Sequence, residues 1–111
     1  ACDDADVENG CMHVIPGSHK QGLVEHGGVQ DDYGIVEPPA ISDAVACPMK
    51  AGGALIFHGE ISHFTPNNTS DRRRRALQYH YAASHCRSTS DSPFPPFQGE
   101  IVVAGEDSET P

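Results

Sequence analysis

The chain has 111 residues, enough for one domain with a modest core. Sixteen acidic residues against seven Lys and Arg give a formal charge of −9, which repels nucleic acid and anionic membranes and excludes both as expected partners. Hydrophobic content is 37%, Trp is absent, and no apolar run approaches the ~18 residues of a membrane helix.

Taken in order, the chain opens without an initiator Met on "ACDDADVENG", which reads as already inside a strand, so a piece of a longer protein is expected. Asn9-Gly10 is a hairpin signal, because both residues tolerate positive φ in a tight turn. "CMHVI" follows as a strand that Pro16-Gly17 stops. Residues 20–44 are polar and rich in Gly and Pro, too long for a tight turn, and are expected to form a loop over a site. "GGALIFHG" reads as a second strand, with Leu55 and Phe57 on one face and Ala54, Ile56 and His58 on the other. "RRRRALQYHYAA" reads as a third. Beyond it, "STSDSPFPPFQG" has a Pro spacing that forbids regular structure, "EIVVA" suggests one short strand, and the last six residues form an acidic, disordered tail.

No stretch keeps a 3.6-residue apolar period for three turns, so short strands with long loops predict an all-β sandwich or jelly roll. Cys2, Cys11, Cys47 and Cys86 show no Cys-x-x-Cys spacing and no secretory context, and are expected as reduced thiols in a cytoplasmic protein. Asn67 and Asn68 begin Asn-x-Ser/Thr sequons that are read as coincidental in the same context.

Alternation along the third strand sorts its side chains. Arg74, Ala76, Gln78 and His80 point one way, and Arg75, Leu77, Tyr79 and Tyr81 the other. Arg74 is then the inward charge of the four-arginine run. An inward guanidinium needs an anion. A ligand carboxylate gripped by its planar fork and an internal salt bridge or solvated basic patch both remain open on the strand alone.

"ENGCMHVIPGSHK" and "GGALIFHGEISHFTPNNTSDRRRRALQYHY", in that order, resemble the phytanoyl-CoA dioxygenase family of iron(II)- and 2-oxoglutarate-dependent oxygenases over about residues 1–85. The resemblance implies a double-stranded β-helix, the jelly roll, incomplete here over residues 1–86, with 87–111 as a Pro-rich and disordered tail. It implies iron held by a His-x-Asp pair and a distal His. By position the distal ligand is His63, the arginine that binds the far carboxylate of 2-oxoglutarate is Arg74, and Thr65 matches a hydroxyl position assisting it. Dioxygen and a small organic or acyl-CoA-type substrate are the implied partners. Iron(II), two neutral His, one Asp, the cosubstrate dianion and one Arg sum to zero charge, which accounts for one arginine being carried inward.

None of the seven histidines is followed two residues later by Asp, so the family's His-x-Asp pair is absent from this sequence. His58-Gly59-Glu60 is the one His-x-acid pair, but it lies five residues from His63, and three ligands from one strand and its turn close poorly around a metal. His19 is read as a rim residue, and His80 as either a core residue or a cosubstrate contact. The chain by itself is expected to release no succinate from 2-oxoglutarate with iron and oxygen; robust release would overturn that expectation. The alternative function is a non-catalytic cupin-like or β-sandwich binding module.

Overall fold

The computed structural model describes residues 1–28 and 34–83. The backbone divides into two units, Ala1–Leu77 and Gln78–Pro111. The expected "EIVVA" strand, the Pro-rich segment and the tail lie outside the described residues, as do His85 and Cys86. Among the described residues every regular element is a short strand or a single 3-10 turn, with no α-helix, in keeping with the all-β expectation.

β1 (His13–Val14) is the middle strand of three, flanked by β4 (Val45–Ala46) and β5 (His63–Phe64), both antiparallel to it. His13 faces Ala46 on one side and Phe64 on the other, and Val14 faces Val45 and His63. β2 (His26–Gly27) and β3 (Gly34–Ile35) form a separate antiparallel pair. The "CMHVI" strand therefore forms, and Pro16-Gly17 ends it by leading into a 3-10 turn at Ser18–Gln21, with Gly17 at φ 83°.

Asn9-Gly10 does not make the expected hairpin. Residues 45–53 run as one edge: Cys47 N–H donates to Met12 O at 2.8 Å, Met49 exchanges hydrogen bonds with Ala5, and Gly52 N–H donates to Ala1 O at 2.9 Å. Residues 1–5 and 12–14 thus lie in line along that edge, and residues 6–10 are extruded between them. The buried Asn9 side chain closes this extrusion on itself, accepting from Asp6 N–H at 2.8 Å and donating to Asp4 O at 2.9 Å. Such local side-chain bonding to the backbone competes with a ladder, and here it wins. Gly10 follows at φ 80°, and a Cβ there would run into the Pro66 carbonyl oxygen.

Residues 52–59 and 72–83, expected as strands, form no ladder among the described residues. A strand is completed by its neighbour's N–H and C=O groups, and among the described residues each stretch meets such a neighbour only near its start, Gly52 at Ala1 and the Arg75 carbonyl at the Cys2 and Asp3 amides. Alternation survives in the first: Leu55 and Phe57 are about a third exposed while Ile56 is 93% exposed. In the second, Leu77, Tyr79 and Tyr81 stay mostly exposed, so the expected covering layer over them is not among the described residues.

What ties the arginine run down is charge. Arg75 Nη2 meets Asp3 at 2.8 Å, and Arg72 reaches Asp6 at 2.8 Å and Glu8 at 3.0 Å. Lys50 pairs with Asp4 at 2.7 Å. The Arg75 guanidinium and amide hold the Asp3 carboxyl well below the usual carboxylate range. Lys50 and the Ala51 amide lower Asp4, and Arg72 and the Asn9 amide lower Asp6. A carboxyl depressed on folding stabilises the fold above its unfolded pKa and loses that contribution as pH falls through the folded value. Thermal melts are accordingly expected to be flat at neutral pH and to drop below about pH 4. Asp3→Asn should flatten that acid limb, and an unchanged limb would show that these exposed pairs contribute nothing.

Candidate functional site

A groove of about 250 Å³ lies between three segments: Gly22, Leu23, Val24 and His26; β3 (Gly34–Ile35); and residues 59–63. Residues 22–24, 26, 34 and 35 of the 20–44 excursion therefore border a cavity, and His63 lies on its wall.

His63 is placed by β5 and by the residue before it. Buried Ser62 donates its N–H to Ser18 Oγ at 2.8 Å, and its carbonyl accepts from Ile15 N–H at 2.9 Å. Ser18, in the "PGSH" turn, is thus a positioning residue whose importance sequence reading misses; a serine just after Pro-Gly is the signal that marks it. The Phe57 ring tilts against His63 at a centroid distance of 4.9 Å. His63 Nδ1 lies 2.8 Å from Ile61 O. A carbonyl can only accept, so Nδ1–H donates there and Nε2 is the ring nitrogen left for another partner. This is the tautomer that metal-binding histidines adopt.

His13 and His26 make the same kind of bond, to Cys11 O at 3.0 Å and Val24 O at 2.8 Å. They differ in setting: His13 stacks on Phe64 at 5.2 Å within the sheet, while His26 borders the groove. His26 carried no sequence motif, and only the β2–β3 register brings it here.

Arg74 is not among the groove residues. It is the one half-buried arginine of the run, its three neighbours being exposed. Its Nε donates to Asn9 O at 3.2 Å, and among the described residues it pairs with no carboxylate. β1 and the residues before it therefore connect the two positions, with Arg74 at Asn9 and His63 opposite Val14. The buried Cys11 thiol lies nearby; burial pushes it up, and the Cys47 amide and Arg74 charge act against that shift. Thr65 is exposed, immediately after β5.

His58-Gly59-Glu60 does not assemble as a dyad. His58 Nδ1 accepts from Glu60 N–H at 3.2 Å and lies 4.0 Å from its carboxylate. The His19 ring packs on His58 at 5.5 Å, and its buried Nδ1 has no hydrogen-bond partner among the described residues. Cys2, Cys11 and Cys47 are free thiols, as expected. Among the described residues no three His, Cys, Asp or Glu side chains converge as a metal site, and no helix is long and apolar enough to cross a membrane.

Short antiparallel strands thus place His63 on the wall of the groove, and Arg74, half-buried beside Asn9, meets no carboxylate among the described residues. Comparison with known proteins makes the assignment specific: the chain belongs to the phytanoyl-CoA dioxygenase (PhyH) family, whose model matches residues 1–76. It is 37% identical to phytanoyl-CoA dioxygenase from Arabidopsis thaliana over 98 residues, covering 83% of this chain and 34% of that protein. It is 34% identical to peroxisomal phytanoyl-CoA dioxygenase from Rattus norvegicus, covering 81% and 29%. Among solved structures it is similar to EvdO2 from Micromonospora carbonacea var. aurantiaca complexed with 2-oxoglutarate, at a TM-score of 0.56 and 31% identity over 63% of this chain and 30% of that one. The chain spans about a third of the length of these relatives.

Proposed function

We propose that this chain contributes the distal iron ligand and the cosubstrate-carboxylate site of an iron(II)- and 2-oxoglutarate-dependent dioxygenase built on a double-stranded β-helix. The reaction is hydroxylation of a small organic or acyl-CoA-type substrate, with decarboxylation of 2-oxoglutarate to succinate. The observation that carries the reading is Arg74, half-buried with no carboxylate partner among the described residues while Arg72 and Arg75 are each paired. Family membership and a structural relative complexed with 2-oxoglutarate support the same reading.

In this scheme His63 would hold iron through Nε2, with Ile61 O keeping the ring oriented through Nδ1–H. The Arg74 guanidinium, steadied at Nε by Asn9 O, would offer its outer N–H groups to the far carboxylate of the cosubstrate. Thr65 donates its hydroxyl to the same carboxylate. The groove walls hold the substrate and keep bulk water from the reacting bond. Iron, when bound, supplies the oxygen activation that no side chain can.

A non-catalytic binding module is the competing reading, favoured by the lack of three converging metal-binding side chains among the described residues. The two are separated by whether 2-oxoglutarate binding depends on Arg74 and iron binding on His63.

A further inference from the structure

We propose that Asp6 and Asn9 are positioning residues for cosubstrate binding, because the loop they close sets the direction in which Arg74 faces. Giving Arg74 a cosubstrate rests on the dioxygenase reading; the bracing of its side chain rests on hydrogen bonds within the chain.

The loop of residues 6–10 closes on itself. Asn9 N–H donates to Asp6 Oδ1 at 3.1 Å, while Asp6 N–H donates to Asn9 Oδ1 at 2.8 Å. This reciprocal pairing of side chain and backbone, three residues apart, has the pattern of a capping box, here at a turn. Cys11 N–H donates to Asp6 O at 2.8 Å, and Asn9 Nδ2 to Asp4 O at 2.9 Å. On another side the loop abuts Pro66, whose carbonyl oxygen leaves no room for a Cβ on Gly10. With its N–H, Oδ1 and Nδ2 all engaged, the buried Asn9 has its carbonyl left, and that carbonyl accepts from Arg74 Nε at 3.2 Å.

Two arginines hold this loop from one segment. Arg72 grips the Asp6 carboxylate with both outer nitrogens, Nη1 to Oδ2 at 2.8 Å and Nη2 to Oδ1 at 3.0 Å. Asp6 Oδ1 therefore receives Arg72 and the Asn9 amide together. Arg74, two residues on, meets the same loop through Nε alone. A guanidinium is planar and its five N–H groups keep fixed directions, so a bond at Nε restricts rotation about Cδ–Nε. The Nη1 and Nη2 edge is then presented ready-made, which lowers the entropy a carboxylate ligand loses in ordering it. Paired hydrogen bonds to one carboxylate need both N–H groups aligned, so loss of the brace falls on cosubstrate affinity.

The test uses an intact dioxygenase that carries this chain. Asp6→Ala is the main variant, because Asp6 is half-buried and Arg72 keeps Glu8. It should raise the 2-oxoglutarate concentration for half-saturation by about tenfold and change iron content and substrate affinity by less than about twofold. Asp6→Asn keeps an Oδ1 acceptor for the Asn9 amide and should restore most of the affinity. Asn9→Ala breaks the same brace and should give the same pattern as Asp6→Ala. Asp3→Asn, which weakens the Arg75 pair instead, should stay within about twofold of the parent. In an Arg74→Ala background Asp6→Ala should change 2-oxoglutarate affinity by less than about twofold, since its effect passes through Arg74. In the iron-free protein the Arg74 Nε–H signal, assigned by its loss in Arg74→Ala, should exchange with water about fivefold faster in Asp6→Ala. An unchanged exchange rate overturns the inference, as does a matching loss of affinity in Asp3→Asn. So does a loss from Asp6→Ala that is equally large with and without Arg74, or no loss from Asp6→Ala where Arg74→Ala shows one. Faster exchange combined with full 2-oxoglutarate affinity in Arg74→Ala overturns the cosubstrate role of Arg74 and leaves the brace standing.

Discussion

Arg74→Ala should raise the 2-oxoglutarate concentration needed for half-saturation by roughly a hundredfold, the value of two charge-assisted hydrogen bonds to one carboxylate. The reason lies in how the four arginines divide. Arg72 is saturated by Asp6 and Glu8, and Arg75 by Asp3. Arg74 alone is half-buried, and its one hydrogen bond among the described residues is to a backbone carbonyl. Arg74→Lys keeps the charge but loses the planar fork, so it should recover only part of the affinity. Arg73→Ala removes an exposed neighbour and should change 2-oxoglutarate binding by less than about twofold. Titration of the cosubstrate into the three variants checks this. Equal affinities for Arg74→Ala and the parent would mean that Arg74 serves only to brace Asn9.

In an intact dioxygenase that carries this chain, His63→Ala should strip the protein of iron and lower succinate formation by more than about a hundredfold, since losing the hydrogen-bond partner of a metal ligand already costs about 10–100-fold. His13→Ala is the informative contrast. His13 has the same Nδ1–H bond to a carbonyl two residues back, but its ring stacks on Phe64 within the sheet. Its loss should cost about 1 kcal/mol of stability and leave iron content unchanged. Iron content after dialysis, measured beside a thermal melt, distinguishes the two roles. Iron retained by His63→Ala would remove His63 from the metal site.

The parts of this molecule legible from the residues are those set by local chemistry. The strand at His13–Val14, its stop at Pro16-Gly17 and the alternation of Leu55 and Phe57 against Ile56 all follow from neighbours in sequence. The family was legible for the same reason, carried by short motifs such as "ENGCMHVIPGSHK", whereas the roles that the resemblance implies for His63, Thr65 and Arg74 are what these variants test. The hairpin at Asn9-Gly10 was not. Turn propensity is satisfied equally by reversing the chain or by extruding a loop, and the 45–53 edge, far off in sequence, selects the second. Residues 72–83 read as a strand because a strand pattern records a preference for a half-covered surface, while the ladder itself belongs to the partner.

The sequence by itself determined the all-β character, the acidic charge balance and the family. Tertiary structure alone decided that Ser18 fixes Ser62 beside His63, that Asp3, Asp6 and Glu8 pair with Arg72 and Arg75 and leave Arg74 as the half-buried arginine of the run, and that His26 and Glu60 border one groove. The division has a physical cause. Propensity and charge act over a few residues, whereas a hydrogen-bond or ion-pair partner is whichever group the folded backbone brings within about 3 Å.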